Sequence, residues 1–326
     1  MRIAHIGTGW IAPQHLDALA SIPEIDLIAV AGRDLGRAEA LAKPRGAVAY
    51  GDWAAMVAQE RLDGVILSVP PDAAGPIARA LAGKVRGILV EKPVDAELAG
   101  AEATAQIFAE RGTIAAAGYH NRARSMVGQI KALCALTPVV VADAWWHGGM
   151  PGAPWWRRRA QSGGQMSEQL THFVDLLRIW LGEAEEVSAF AAHGFMSDVP
   201  DFDIDDAVAA TVRFAGGAIA TIHTSCIARP GQDIDGLGIA LRARGWQAQL
   251  TGWGLAGEIR HAGGTVQTIP EETDLYRIQA QSFCAALAAQ DSRLLSCTFS
   301  EGVETLRLTR AIDRAAATGK PQRVRP

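Results

Sequence analysis

Cysteine is scarce. The four present, Cys134, Cys226, Cys284 and Cys297, lie far apart, and none belongs to a C-x-x-C pair. That excludes a disulfide framework or a thiolate zinc site as the organising feature and leaves ordinary reduced thiols. Positive charge is not in excess either. Lys and Arg number 31 against 35 Asp and Glu, a formal net charge of −4, which excludes a strongly basic nucleic-acid binder. No run of about 20 apolar residues is available to span a bilayer, and no signal peptide precedes the first strand. The expectation is a cytoplasmic protein with neither membrane nor nucleic acid among its partners. There is no internal repeat and no disordered linker. What the chain does have is apolar material: 49% of its 326 residues are hydrophobic and 20% charged. At roughly 100–200 residues per domain this suggests two domains, each able to bury a core.

The first half alternates strand and helix. Arg2–Ile6 is a short apolar strand, and a helical pattern follows through Leu16 and Leu19. Leu27–Ala31, Ala47–Ala49, Asp63–Val69, Gly87–Val90 and Thr113–Ala117 read as further strands, with helices near Leu35–Ala42, Ala73–Leu81 and Asp95–Arg111. Near-continuous apolar runs suit parallel strands covered on both faces, and the alternation predicts a doubly wound parallel sheet. The pattern changes after Gly118. A helix over Arg124–Leu136 leads to a strand at Val139–Trp146, a Gly/Pro/Trp-rich loop, and an amphipathic helix over Gln165–Leu181. Longer strands follow at Val187–Phe195, Ala207–Phe214, Ala218–Cys226, Ile234–Arg242, Trp246–Leu250 and Thr265–Ile269, with Ala215-Gly216-Gly217 as a hairpin connection. Helices near Thr273–Ala289 and Ser300–Thr318 close the chain. The expected division is a dinucleotide-binding domain over 1–120 and a substrate-binding and oligomerisation domain over 121–326.

Gly7-Thr8-Gly9-Trp10-Ile11-Ala12 fits G-x-G-x-x-A. It follows the first strand and opens the first helix, the context in which glycines admit a pyrophosphate to a helix N-terminus. At the end of the second strand an acid would hold a ribose 2′-hydroxyl and repel a 2′-phosphate. Here Gly32 stands at that position and Arg33 follows. A guanidinium in place of a carboxylate suits a 2′-phosphate, so NADP is favoured over NAD. Asp34 either restores the acid or caps the next helix.

Glu91-Lys92-Pro93 sits at the carboxyl end of the Gly87–Val90 strand, the edge where open α/β sheets bind ligands. Lys92 there can take the proton of a secondary alcohol as hydride leaves; otherwise it is a surface lysine paired with Glu91. In the Gln165–Leu181 helix, Glu168, His172 and Asp175 share one face at i, i+4 and i+7. His172 could assist proton transfer or hydrogen-bond the reacting hydroxyl, Glu168 could orient it or hold a neighbouring hydroxyl, and Asp175 could likewise bind or orient substrate hydroxyls. The alternative is a salt-bridging set. With one histidine and no ligand spacing, no metal site is expected.

These pieces in this order resemble the glucose–fructose oxidoreductase/inositol dehydrogenase (Gfo/Idh/MocA) family, over nearly the whole chain. The landmarks are Gly7–Ala12, Val69-Pro70-Pro71, Glu91-Lys92-Pro93, Gly118-Tyr119-His120-Asn121-Arg122, and Ser162-Gly163-Gly164 leading into Glu168-x-x-x-His172-x-x-Asp175. The resemblance implies an N-terminal Rossmann domain and a C-terminal α/β domain with a large open antiparallel sheet, often the dimer interface in the family. It implies a homodimer or homotetramer, and Lys92 with His172 as the proton-transfer pair. Val69, Pro70, Glu91, Asn121 and Arg157 would then border the cofactor. Two departures matter: many members carry Asp where Glu168 stands, and Asp72-Ala73-Ala74 lacks a histidine that often follows the paired prolines.

Five of the nine tryptophans fall between Trp145 and Trp180. Trp155-Trp156-Arg157 resembles a family segment that closes over the nicotinamide. Trp155 is a candidate for stacking on a sugar and Trp156 for the cofactor, with core packing the alternative for each. Tyr119 and Asn121 lie where substrate or nicotinamide should sit. His120 is left out as pointing the opposite way. His5 and His15 read as structural, while His147 and Tyr276 stay open. The leading expectation is an NAD(P)-dependent oxidoreductase acting on a sugar, inositol or sugar-derived polyol. A lyase or glycosidase that uses bound NAD for transient oxidation, and a nucleotide-sensing protein without turnover, are the alternatives.

Overall fold

The computed structural model describes residues 1–229 and 236–325. The chain forms two compact units, both discontinuous: Met1–Ala123 with Asp274–Val303, and Arg124–Thr273 with Glu304–Pro326.

In the first unit, strands β1 (Arg2–Ile6), β2 (Asp26–Ala31), β3 (Val48–Tyr50), β4 (Gly64–Leu67), β5 (Gly87–Glu91) and β6 (Ile114–Gly118) form a parallel sheet in the order β3-β2-β1-β4-β5-β6. β4 and β5 are buried along their whole length, as apolar strands covered on both faces must be. Helices α1 (Ala12–Ala20), α2 (Leu35–Ala42), α3 (Trp53–Gln59), α4 (Pro71–Leu81) and α5 (Leu98–Arg111) make the crossovers. This is the doubly wound order, with its reversal between β1 and β4. Local chemistry sets the helix starts. The Asp52 carboxylate caps α3 by accepting the Ala54 N–H at 2.9 Å, and Pro71 opens α4 where a missing N–H is harmless. Helix α3 was not anticipated. Only Met56 of its residues is buried, so it carries almost no periodicity.

The second unit opens with α6 (Ser125–Leu136) and β7 (Val139–His147), then α7 (Arg159–Ser162), α8 (Gln165–Glu168) and α9 (Thr171–Leu181). Strands β8 (Ala184–Ala192), β9 (Ala207–Phe214), β10 (Ile219–Ser225), β11 (Leu237–Ala243), β12 (Trp246–Thr251), β13 (Ala256–His261) and β14 (Val266–Ile269) follow. Helix α10 (Leu275–Ala289) belongs to the first unit, whereas α11 (Phe299–Thr318) contains a unit boundary, and β15 (Gln322–Arg323) ends the chain's elements. The nine strands run β14-β13-β12-β11-β7-β10-β9-β8-β15.

This is the expected large open sheet, mostly antiparallel with one parallel pair. β7 is antiparallel to β11 but parallel to β10. The meander β8-β9-β10 turns at Gly217, whose φ is +85°, and brings β10 back running the same way as β7. One face packs on an apolar core in which Val212, Phe214, Ile239 and Leu250 of the sheet join Ile130, Phe173, Leu177 and Ile312 of the helices.

Some strands differ from expectation. β8 starts and ends earlier, because the chain has left the sheet by Phe195, whose N–H is taken by the Asp206 carboxylate. β13 and β15 were not foreseen. The expected strand start at Ile234 lies outside the described residues.

The single helix expected over Gln165–Leu181 is broken. Leu170 N–H reaches the Gln165 carbonyl at 3.3 Å, a five-residue step, and regular α-bonding resumes with Val174 on Leu170. Such π-type steps recur at functional sites. Glu168 and His172 therefore lie on either side of a break rather than on one regular helical face.

Candidate active site

The candidate residues lie on both units, and each group is described within its own. In the first, β1 ends at Gly7, which adopts φ +124°; a Cβ there would fall 2.1 Å from the Ser68 carbonyl oxygen. A Cβ on Gly9 would meet nothing within 4 Å, and Trp10 beside it is 69% exposed. Helix α1 starts two residues later with no side chain capping it. The result is an open glycine turn feeding a helix start whose amides have no side-chain acceptor, the donor set that suits a pyrophosphate. Val69 and Pro70 are half-buried at the end of β4, with Pro70 preceding the first residue of α4.

At the end of β2, Arg33 is exposed. A side chain at position 32 would collide with Thr8, whose Cγ2 lies 2.5 Å from the Cβ position of Gly32. Asp34 takes the capping role: it is the N-cap of α2, accepting the Arg37 N–H at 3.1 Å.

Lys92, half-buried, follows β5 directly. The Glu91 side chain turns inward, with Oε2 accepting the Lys92 backbone N–H at 3.0 Å and Oε1 lying 2.8 Å from His15 Nε2. Burial pushes the Glu91 carboxyl up, but His15 and the facing charges of His120 and Lys92 outweigh it and hold the group below the ordinary carboxylate range. His5, wholly buried, is driven down to about 3 by burial and by the charge of His15. Tyr119 and Asn121 are 1% and 6% exposed. The strand does not persist past Gly118, because a short 3₁₀ turn over His120–Ala123 replaces it. Alternation is therefore the wrong guide here, and His120 turns toward Tyr276, 4.8 Å between ring centroids. His15 and His120, which sequence reasoning set aside, and Tyr276, which it left open, lie together next to Glu91 and Lys92. His15 stands three residues after the glycine motif, and His120 lies within the Gly118–Arg122 landmark.

In the second unit, Glu168 ends α8 and accepts the Trp156 indole N–H at 2.6 Å. Trp156 is 1% exposed and packs with Ile204 and Cys226, so its indole both fills core and holds the carboxylate. Trp155 is half-buried beside that cluster, as is Arg157. His172 is 5% exposed, in the first turn of α9. Asp175 follows His172 by three residues on α9. It is 1% exposed, accepts the Thr305 hydroxyl at 2.8 Å, and lies 3.9 Å from Arg178.

Residues 1–119 match the family model described as "Oxidoreductase family, NAD-binding Rossmann fold", and residues 133–252 match the Gfo/Idh/MocA C-terminal domain. The doubly wound unit with its glycine turn thus marks an oxidoreductase of the NAD-binding Rossmann class, and the chain belongs to the Gfo/Idh/MocA family. Among curated relatives, D-xylose 1-dehydrogenase (NADP(+)) 2 of Haloferax volcanii is 25% identical over 98% of both chains. Inositol 2-dehydrogenase of Rhizobium meliloti is 26% identical over 72% of this chain and 71% of the relative. A levoglucosan dehydrogenase solved with NADH superposes with a TM-score of 0.89 at 17% identity, over 99% of each chain, which establishes the fold.

Proposed function

We propose that the protein is an NADP-preferring dehydrogenase of a sugar or cyclic polyol. The observation that carries this is the presence, in one unit, of an open glycine turn at an uncapped helix start and a lysine at the carboxyl end of β5. The turn and the α1 amides would hold the dinucleotide phosphates, and Arg33 a 2′-phosphate, with Asp34 committed to its helix cap. When bound, the nicotinamide ring supplies the hydride acceptor or donor. Lys92 takes the proton from a carbinol in oxidation and returns it in reduction. His172 assists that transfer, and Glu168, fixed by Trp156, binds a neighbouring hydroxyl. Trp155 offers an apolar face to the ring of the substrate. The names of the xylose and inositol relatives support the substrate class. We place the enzyme in the cytoplasm, in keeping with four cysteines that all stand as thiols. It would associate through the open sheet face, where Phe190 and Ile219 are 76% and 46% exposed.

A panel of pentoses, hexoses and inositols with NADP⁺ and NAD⁺, followed by nicotinamide absorbance, tests the reading. Turnover is expected with NADP⁺ on at least one of them. Lys92→Ala should lower kcat by about 10²- to 10⁴-fold while NADPH affinity stays nearly intact. Equal loss of affinity and turnover would overturn the assignment of Lys92.

A further inference from the structure

Beneath the Glu91-Lys92-Pro93 turn lies a buried polar cluster that the proposed chemistry leaves unused. Helix α1, which starts at the glycine turn, contributes His15, only 1% exposed. Its Nε2 faces Glu91 Oε1 at 2.8 Å, and Glu91 Oε2 holds the backbone N–H of Lys92 at 3.0 Å. One carboxylate is thereby tied at both oxygens, one to the residue that bears the amine and the other to the helix that receives the phosphates. An ionised Glu91 accepts only, so the His15 ring must carry its hydrogen on Nε2. Gly118 stands opposite Glu91 in the β5–β6 register, and a Cβ there would lie 2.7 Å from Glu91 Cδ. Tyr276 of α10 closes the cluster, edge-on to His15 with centroids 5.0 Å apart. A buried pair of this kind returns little net stability once its desolvation is counted. What it does confine is geometry.

We propose that His15 is a positioning residue for Lys92, acting through Glu91 to hold the lysine turn in register with the helix at the dinucleotide loop. This rests on the reading of Lys92 as the proton-transfer group. Misplacing a reacting group by about an ångström costs on the order of 100-fold in rate, so a tether one hydrogen bond away from the lysine backbone has leverage out of proportion to its strength.

The chain has only five lysines, Lys43, Lys84, Lys92, Lys131 and Lys320, so reductive methylation with ¹³C-formaldehyde gives an NMR spectrum of six labelled amines, those five and the N-terminus, in which Lys92→Arg identifies one. In His15→Phe the Lys92 signal should move toward the position of the exposed lysines while the other four lysine signals stay put. In unmethylated enzyme the same variant should lower kcat roughly 10- to 100-fold, with NADPH affinity by fluorescence titration changed little. His15→Gln, whose amide N–H can still reach Glu91, should recover most of both readouts. His15→Asn, polar but too short to reach, gives the same loss should the Phe variant fail to fold. An unmoved Lys92 signal with unchanged kcat, or a well-folded Gln variant that recovers neither, would overturn the proposal. If Lys92→Ala kept its turnover, the reading of Lys92 would fail, while the NMR signal would still report whether the tether exists.

Discussion

The two units lean on different sets of ionisable groups. The first hides imidazoles and a carboxylate under the lysine turn, joined by single hydrogen bonds: His5 to Ser68 at 3.1 Å, His15 to Glu91 at 2.8 Å. The second surrounds an aliphatic and aromatic core with guanidinium–carboxylate pairs, among them Arg178 with Glu183, Arg159 with Asp205 and Arg310 with Asp313. A guanidinium is always charged and its forked donors hold a carboxylate in one geometry, so the second unit's pairs act as structural clamps. Imidazoles and single carboxylates change state with their surroundings, and proteins place such groups where chemistry is done.

The largest test of that contrast is in the cores. Phe283 and Phe214 are each fully buried, one per unit, and truncating either to Ala should cost about 3–5 kcal/mol. Hydrogen exchange should then show Phe283→Ala releasing amides of β1–β6 and Phe214→Ala those of the nine-stranded sheet. Loss spread over both units in either variant would break the comparison.

Acid should separate the units next. His5 is held down to about 3 from its ordinary 6.5, chiefly by burial. Below pH 6.5 the unfolded chain takes up a proton that the folded one refuses, so stability falls as pH drops from about 6.5 toward 3 and is unaffected above that window. His5→Gln should remove up to about 1.4 kcal/mol per pH unit of that slope, read by urea unfolding between pH 7 and 4. An unchanged slope would mean His5 is not the group responsible.

In the second unit, Trp156→Phe keeps the ring in its cluster but deletes the donor to Glu168. A hydrogen bond to a charged group is worth about 1.5–3 kcal/mol, so KM for the sugar should rise about 10-fold or more. A fall in melting temperature with unchanged kinetics would make Trp156 core alone.

Smallest is Asp34→Ala. It should cost about 1 kcal/mol as a lost cap and leave the NADP-to-NAD preference untouched. A selective drop in NAD affinity would return Asp34 to the ribose.

How much of this was readable in advance follows from where regularity holds. The parallel strands announce themselves because burial on both faces demands apolar runs, as in Gly64–Leu67 and Gly87–Glu91. The glycine turn and the lysine motif are local and were equally plain. What stayed hidden depends on irregular or distant geometry. The step at Gln169–Leu170 leaves the apolar pattern of Gln165–Leu181 intact while dividing the helix. The role of His15 depends on a carboxylate 76 residues away. Trp156 as the donor to Glu168 combines a core residue and a site residue in one side chain, and composition alone cannot tell those apart.

The first unit is also finished late. Its core needs Phe283, Ala286 and Leu287 of α10 to cover Ile3, Leu19, Ile66 and Leu89, yet α10 follows nearly all of the second unit in the chain. On a ribosome translating at about 5–20 residues per second, the early strands wait roughly 10–60 s with that apolar seat bare. Cutting the gene at the first unit's visible end would leave the seat bare permanently, so a stand-alone nucleotide domain has to carry the late helix grafted onto it.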